Sequence, residues 1–456
     1  MSHQESKVLR VESLARVEGE GALHLRLQDG EVAEARLKIY EPPRFFEAFL
    51  RGRSYTEPPD ITSRVCGICP VAYQMSACRA IENACGIVVD GQLAALRRLL
   101  YCGEWIESQT LHLYLLHAPD FLGADSVIDL ARTHRAHVER GLALKQTGNA
   151  LMELLGGRAI HPINVRLGGF HRVPTKAELR PLAERLRRAQ EHAEATVRWV
   201  AGFDFPDAAL DNELLALAEP GTYAIDSGTP TAMAAPGTAG LPPDSDRALP
   251  TRTFPLHEFP DHVAETQVPH STALHSRLDG NRHLTGTLAR YAISGRWLPV
   301  EVRQAAQEAG LGDPREGAVC RNPFRSIIVR AIEVRYAVGE ALRLIDAYEP
   351  PPRPYVDVPA RAGTGHGATE APRGLLYHRY TLDTDGTVTE AALVPPTAQN
   401  QAAIEQDLRR AVQERLDAGP GPTDAELTTL CERTIRNHDP CISCSTHFLD
   451  LTVARD

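Results

Sequence analysis

Between residues 7 and 40 apolar and polar side chains alternate. Val8, Val11, Leu23, Leu25, Leu27, Val32, Ala35, Leu37 and Ile39 mark strands, with Gln28-Asp29-Gly30 as a turn, so a β-hairpin or small sheet is predicted. From about 66 to 202 the apolar period changes to three and four residues, and 92–117, 129–155 and 176–200 read as long helices. The last is the clearest: Thr175 and Glu178 form a capping box, and Leu179, Leu182, Leu186, Ala189, Ala193 and Val197 make one stripe. Long helices in series predict a bundle. Residues 219–260, rich in Pro, Gly, Thr and Ala, read as a long irregular excursion with room for short strands. A helix near 323–346 follows, then a proline-rich connector over Glu349–Pro354, then paired strands over 374–394 around Asp383-Thr384-Asp385-Gly386. Two helices close the pattern; a Thr423–Glu426 capping box opens the second, which ends before His438-Asp439-Pro440. The predicted fold class is α+β and predominantly helical, a central long-helix bundle with small peripheral β-sheets.

Composition narrows the class. With 456 residues, 43% hydrophobic and 24% charged, the chain reads as soluble and globular. A net charge of −10 without a long basic block gives no support for nucleic acid as a partner. No apolar run reaches the length of a membrane span. Met1-Ser2-His3-Gln4-Glu5-Ser6-Lys7 lacks an apolar signal core, which favours the cytoplasm. No internal repeat or low-complexity tract stands out.

Nine cysteines, an odd number, read as thiols or metal ligands before disulfides. Cys78, Cys85, Cys102, Cys320 and Cys431 lie scattered in apolar contexts and are expected to be small core residues. Cys66/Cys69 and Cys441/Cys444 are different, because two intervening residues let both sulfurs of a pair converge on one ion. Pro70 suits the first position of a helix, whose N-terminal partial charge lowers a nearby thiol's pKa. Four sulfurs suit zinc, nickel or iron. On spacing alone a closed zinc site is the favoured reading, ahead of a redox disulfide pair.

The surroundings of the pairs point to one family. Arg64-Val65-Cys66-Gly67-Ile68-Cys69 and Asp439-Pro440-Cys441 through Cys444 to His447 resemble the two cysteine signatures of nickel–iron hydrogenase large subunits. Arg16-Val17-Glu18-Gly19, the segment Gly157-Arg158 with His161-Pro162 and Gly168-Gly169, and Glu370-Ala371-Pro372-Arg373-Gly374 resemble further segments of that family, in its order. The details look most like the cytoplasmic, bidirectional, NAD(P)-coupled and sulfhydrogenase-type enzymes.

The resemblance implies reversible heterolytic cleavage of H2 at a nickel–iron centre. Cys66 and Cys441 would be terminal nickel ligands, and Cys69 and Cys444 would bridge to an iron carrying cyanide and carbon monoxide. Arg373 would donate hydrogen bonds to a diatomic ligand, with Pro372 lining the same pocket, Asp120 orienting Arg373 and Asp439 nearby. A cysteine thiolate or Arg373 would take the proton released from H2, and Glu18 would pass protons between a nickel thiolate and solvent. Glu47 and His447 would hold magnesium, with a backbone carbonyl near Ala392. Three positions depart from the family's habit: Tyr73 and Glu20 replace common histidines, and Pro396 replaces a Ser or Thr, whose cyanide contact would pass to Thr397 or backbone amides.

The implied organisation is one catalytic domain over 1–447, with 323–447 closing on the metals, and a tail, 448–456, cut off after nickel insertion. The implied partners are an iron–sulfur small subunit, flavin and NAD(P)-binding diaphorase subunits, a maturation endopeptidase and nickel-insertion chaperones. The competing readings are a hydrogen sensor, a structural zinc protein and a respiratory quinone-site subunit.

Overall fold

The computed structural model describes residues 6–242, 247, 249–419 and 421–446. Its centre is the helix Pro70–Cys85, almost wholly buried; Pro70 opens it, and Gly86, at φ 71°, ends it in the left-handed conformation. Gly91–Leu111 follows and runs on into a π-helical turn, His112–His117. The predicted 92–117 helix is thus two kinds of helix, because apolar spacing does not register an inserted π turn.

Arg135–Gly156 packs along Gly91–Leu111. A Cβ at Gly148 would lie 2.6 Å from the Gly103 carbonyl oxygen, so the two backbones approach as only small residues allow. The predicted 129–155 helix breaks at His134, with Val127–Thr133 capped separately by Ser126. Lys176–Ala201 forms as predicted, with its Thr175/Glu178 capping box, and lies against Ser326–Asp346.

Small sheets surround these helices. Ser6–Val11, Gly21–Gln28 and Glu31–Ile39 make an antiparallel sheet in that order, as the alternation predicts. Leu23, Leu25, Leu37 and Ile39 bury one of its faces with Ile404, Leu408 and Val412 of the helix Pro396–Asp417. The stretch read as irregular supplies two strands, Thr229–Met233 and Thr251–Thr253, to a four-stranded sheet with Glu213–Ala218 and His283–Thr285. Val263–Thr266 pairs antiparallel with His275–Leu278.

The predicted strands over 374–394 form as Gly374–Leu382 and Val388–Val394. A third strand, Gly363–Ala371, completes that sheet and lies on the central helix. Its glycines explain the contact: a Cβ at Gly365 or Gly367 would collide with the carbonyls of Ala80 or Ser76. The architecture is α+β and predominantly helical, with small sheets packed against the helices.

Candidate metal centre

Two loops from distant parts of the chain meet beneath the central helix. In the first, the backbone N–H groups of Ile68 and Cys69 donate to the Cys66 sulfur at 3.3 and 3.4 Å. Cys69 itself caps the helix Pro70–Cys85. That helix's free amides at Val71 and Ala72 donate to the carboxylate of buried Glu104, at 2.6 and 3.1 Å. The loop is therefore fixed from both sides.

The second loop leaves the helix Asp424–Asn437 through Asp439, which sits at φ 50°, a left-handed conformation that aspartate tolerates. This turn and Pro440 send Cys441 inward, into a single helical turn, Ile442–Ser445. The Cys441 amide donates to Thr397 Oγ1 at 3.0 Å. Arg44 holds the loops together, donating to the carbonyls of Val65 and Ser443.

The four sulfurs converge. Cys66 and Cys441 lie 3.4 Å apart, Cys69 and Cys444 3.6 Å, and Cys441 and Cys444 2.9 Å. All four ligand atoms fall within 4.8 Å of one another. Each residue is buried, and all nine cysteines are free thiols. The five scattered ones are buried as expected. Donation from the thiols of Cys441, Cys444 and Cys69 holds Cys66 well below the usual thiol range, while burial pushes Cys441 well above it.

The Arg373 guanidinium forms the roof. Its Nε donates to the Asp439 carbonyl at 2.9 Å, Nη2 to Asp439 Oδ1 at 3.1 Å and Nη1 to Ser108 Oγ at 3.4 Å. Burial opposes its charge, but Asp439 and the nearby sulfurs outweigh that and keep it protonated. The turn carrying Arg373 is fixed in its place by Arg290, which donates to the carbonyls of Ala371 (2.8 Å) and Pro372 (2.9 Å). Glu333 and Glu370 neutralise Arg290 within the core.

Glu18 reaches the same sulfurs from the N-terminal segment. Its backbone bridges to Cys441, and its carbonyl accepts from Ile442 at 2.9 Å. Its carboxylate accepts from the Cys441 thiol at 3.0 Å and from the Ser443 amide at 3.1 Å. The side chain is half-buried, so it spans from sulfur toward the surface. Ser443 in turn donates to Glu41 at 3.0 Å.

Asp120 does not orient Arg373. It pairs with Arg436, at 2.8 Å through both oxygens, and with Arg16 at 2.5 Å. It thereby ties the segment bearing Glu18 to the helix preceding Cys441. Asp439 is the carboxylate that faces Arg373. The sequence had no sign of which arginine each would meet. Reasoning from sequence also missed Arg44, Glu104 and Arg290, which read as ordinary charged helix or loop residues.

Glu47 lies in the short helix Phe46–Leu50 and accepts from the Leu393 amide at 2.7 Å, one residue past Ala392. Glu265, on the strand Val263–Thr266, is close enough to feel its charge. Burial and the charge of Glu47 push the Glu265 carboxyl up to about 8, and its Oε1 is buried without a partner among the described residues. His447, the other expected ligand, and the tail 448–456 lie outside the described residues.

The family described as nickel-dependent hydrogenase matches residues 44–140 and 345–447. The α subunit of sulfhydrogenase 1 from Pyrococcus furiosus is 34% identical over 446 residues, 97% of this chain and 98% of its own length. This chain belongs to the nickel-dependent hydrogenases. The F420-non-reducing hydrogenase of Methanothermobacter marburgensis has a chain 28% identical to this hydrogenase, over 97% of this chain and 95% of that one. Among solved structures, an NAD+-reducing [NiFe]-hydrogenase in the H2-reduced state superposes with a TM-score of 0.81 at 25% identity, covering 97% and 99% of the two chains. The chain is thus the large subunit of an oxidoreductase that binds nickel and iron, and the zinc and quinone-site readings give way. Four convergent, buried sulfur donors fit those metals.

Proposed function

We propose that this hydrogenase catalyses reversible heterolytic cleavage of H2, with Cys66 and Cys441 as terminal nickel ligands and Cys69 and Cys444 as bridges to iron. The pairing of Cys66 with Cys441 and of Cys69 with Cys444 across the site supports that division. The bound metals would polarise H2 and accept its two electrons, H2 giving two protons and two electrons.

The chain's own groups do the rest. The Cys441 sulfur holds a released proton and Glu18 takes it at the carboxylate oxygen 3.0 Å away. Arg373 supplies a fixed positive charge and N–H donors for cyanide and carbon monoxide on iron. Thr397, through its bond to the Cys441 amide, positions that ligand. Asp439 orients Arg373. Glu47 and His447 would hold magnesium; the buried, unpartnered oxygen of Glu265, whose carboxyl feels the charge of Glu47, supports a cation there.

Electrons leave through an iron–sulfur small subunit; flavin-containing diaphorase subunits pass them to or from NAD(P). The chain acts in the cytoplasm, as one catalytic domain over 1–447. Nickel-insertion chaperones fill the site, and an endopeptidase then removes 448–456. Among the described residues no helix is long and apolar enough to cross a membrane.

The observation that carries this reading is the Glu18 carboxylate touching one of four buried, convergent sulfurs. The test is metal analysis with infrared spectroscopy and H2 uptake on matured enzyme. Nickel, iron, cyanide and carbonyl bands and H2-dependent reduction of an acceptor are expected. Absence of nickel and of those bands would overturn it. Cys441→Ser should abolish H2 activity and nickel retention.

A further inference from the structure

A second set of donors lies on other elements of the fold. His270 stands in the connection before the strand His275–Leu278, His275 opens that strand, and Glu405 lies on the helix Pro396–Asp417. One ligand atom from each falls within 4.8 Å of the others. The His270 and His275 rings are 5.5 Å apart at 88°, so they meet edge to face rather than stacking. His270 Nε2 donates to Glu405 Oε1 at 2.7 Å, and the Leu37 amide donates to the same oxygen at 3.0 Å.

His275 is the telling residue. It is only 5% exposed, yet its Nε2 is buried with no hydrogen-bond partner among the described residues. A buried imidazole nitrogen without a partner is costly, and a cation facing it would satisfy its lone pair. Two imidazoles and one carboxylate are the donor set of borderline divalent transition ions. Magnesium and calcium prefer oxygen alone.

We propose that His270, His275 and Glu405 form a second metal site, for a divalent transition ion such as zinc, separate from the four-cysteine centre. His270 also lines a surface groove of about 870 Å³, with Arg36, Lys38 and Tyr40. That groove gives the ion a route in and water a place in the remaining coordination position. Arg36 acts on Glu405 and Arg277 on His275, so their positive charges work against the ion, and the affinity depends on the two nitrogen ligands. A bound ion would clamp the strand His275–Leu278 to the helix that carries Thr397.

The test uses the matured holoenzyme, whose cysteine site is already filled, after dialysis against a chelator. Zinc chloride is titrated into wild type, His275→Ala and His270→Asn, with bound zinc and melting temperature as readouts. Wild type is expected to take up one zinc that both variants lose, with affinity falling on the order of 100-fold, and to melt higher with zinc present. Cobalt(II) gives an independent readout on wild type alone: weak visible bands of nitrogen and oxygen ligation, without intense thiolate charge transfer. If His275→Ala does not fold, His270→Asn and the cobalt spectrum still decide. Equal zinc uptake by wild type and variants, no uptake by wild type, or a thiolate cobalt spectrum would each overturn the proposal.

Discussion

Replacing Glu18 by Gln isolates one step, because glutamine keeps the shape and can still accept from the Ser443 amide now held at 3.1 Å. It cannot take a proton. The carboxylate lies 3.0 Å from the Cys441 sulfur, within direct transfer reach, and among the described residues no other carboxylate bonds that sulfur. Loss of a positioned acid–base group lowers rates by about 10² to 10⁴-fold, or about 3 to 5 kcal/mol in barrier. Stability should change by less than about 1 kcal/mol, since the hydrogen bonds survive. Metal content and infrared bands should match wild type. The assay is H2 oxidation with an artificial acceptor, alongside exchange of D2 with water protons. Glu18→Asp, one carbon shorter, should sit between the two. A Glu18→Gln holoenzyme with full metal content and more than about a tenth of wild-type exchange would refute the relay.

Asp120→Ala leaves buried Arg436 and half-buried Arg16 without their shared carboxylate, and should destabilise the chain by about 3 kcal/mol in a denaturant titration, while folded enzyme keeps the Arg373–Asp439 contact. A loss of activity without loss of stability would instead restore a role beside Arg373. Gly367→Ala drives a methyl into the central helix and should cost about 1 to 3 kcal/mol in thermal unfolding. Acid should destabilise the fold through Asp120 and Asp226. Burial raises both, but Arg436 and Arg16 on one, and Arg79 and Arg98 on the other, win and hold them low. The unfolded chain therefore takes protons first as pH falls, so this stabilisation is full above about pH 4 and is lost below it; melting curves from pH 6 to 3 would check the sign.

What could be read from the chain divides along physical lines. Periodicity found the long helices and the first sheet, because one buried face imposes its repeat on sequence. It missed the strand Gly363–Ala371, whose glycines, threonines and alanines carry no apolar alternation; their purpose is to let a helix come close. It also missed the break at His134 and the π turn at His112, which change direction without changing apolar spacing. Cys66, Cys69, Cys441 and Cys444 stood out by spacing. Glu18 and Arg373 stood out only through resemblance, since a lone strand glutamate and a turn arginine have no local signature. The resemblance puts Asp120 beside Arg373, whereas in the fold it meets Arg436 and Arg16. Which charges pair across hundreds of residues is decided by tertiary packing, and Arg16, Arg373 and Arg436 were all open to it.

The cysteines that meet across the site are 375 positions apart in the chain. Ribosomes add about 5 to 20 residues each second, so Cys66 and Cys69 wait on the order of 20 to 75 s before Cys441 and Cys444 exist. For that interval the first pair belongs to a site with half its walls missing: no Asp439 under Arg373, and no Ser443 for Arg44 to grip. Metal delivery is thus bound to the clock of synthesis. A metal ion can meet all four sulfurs only once the last few residues have arrived.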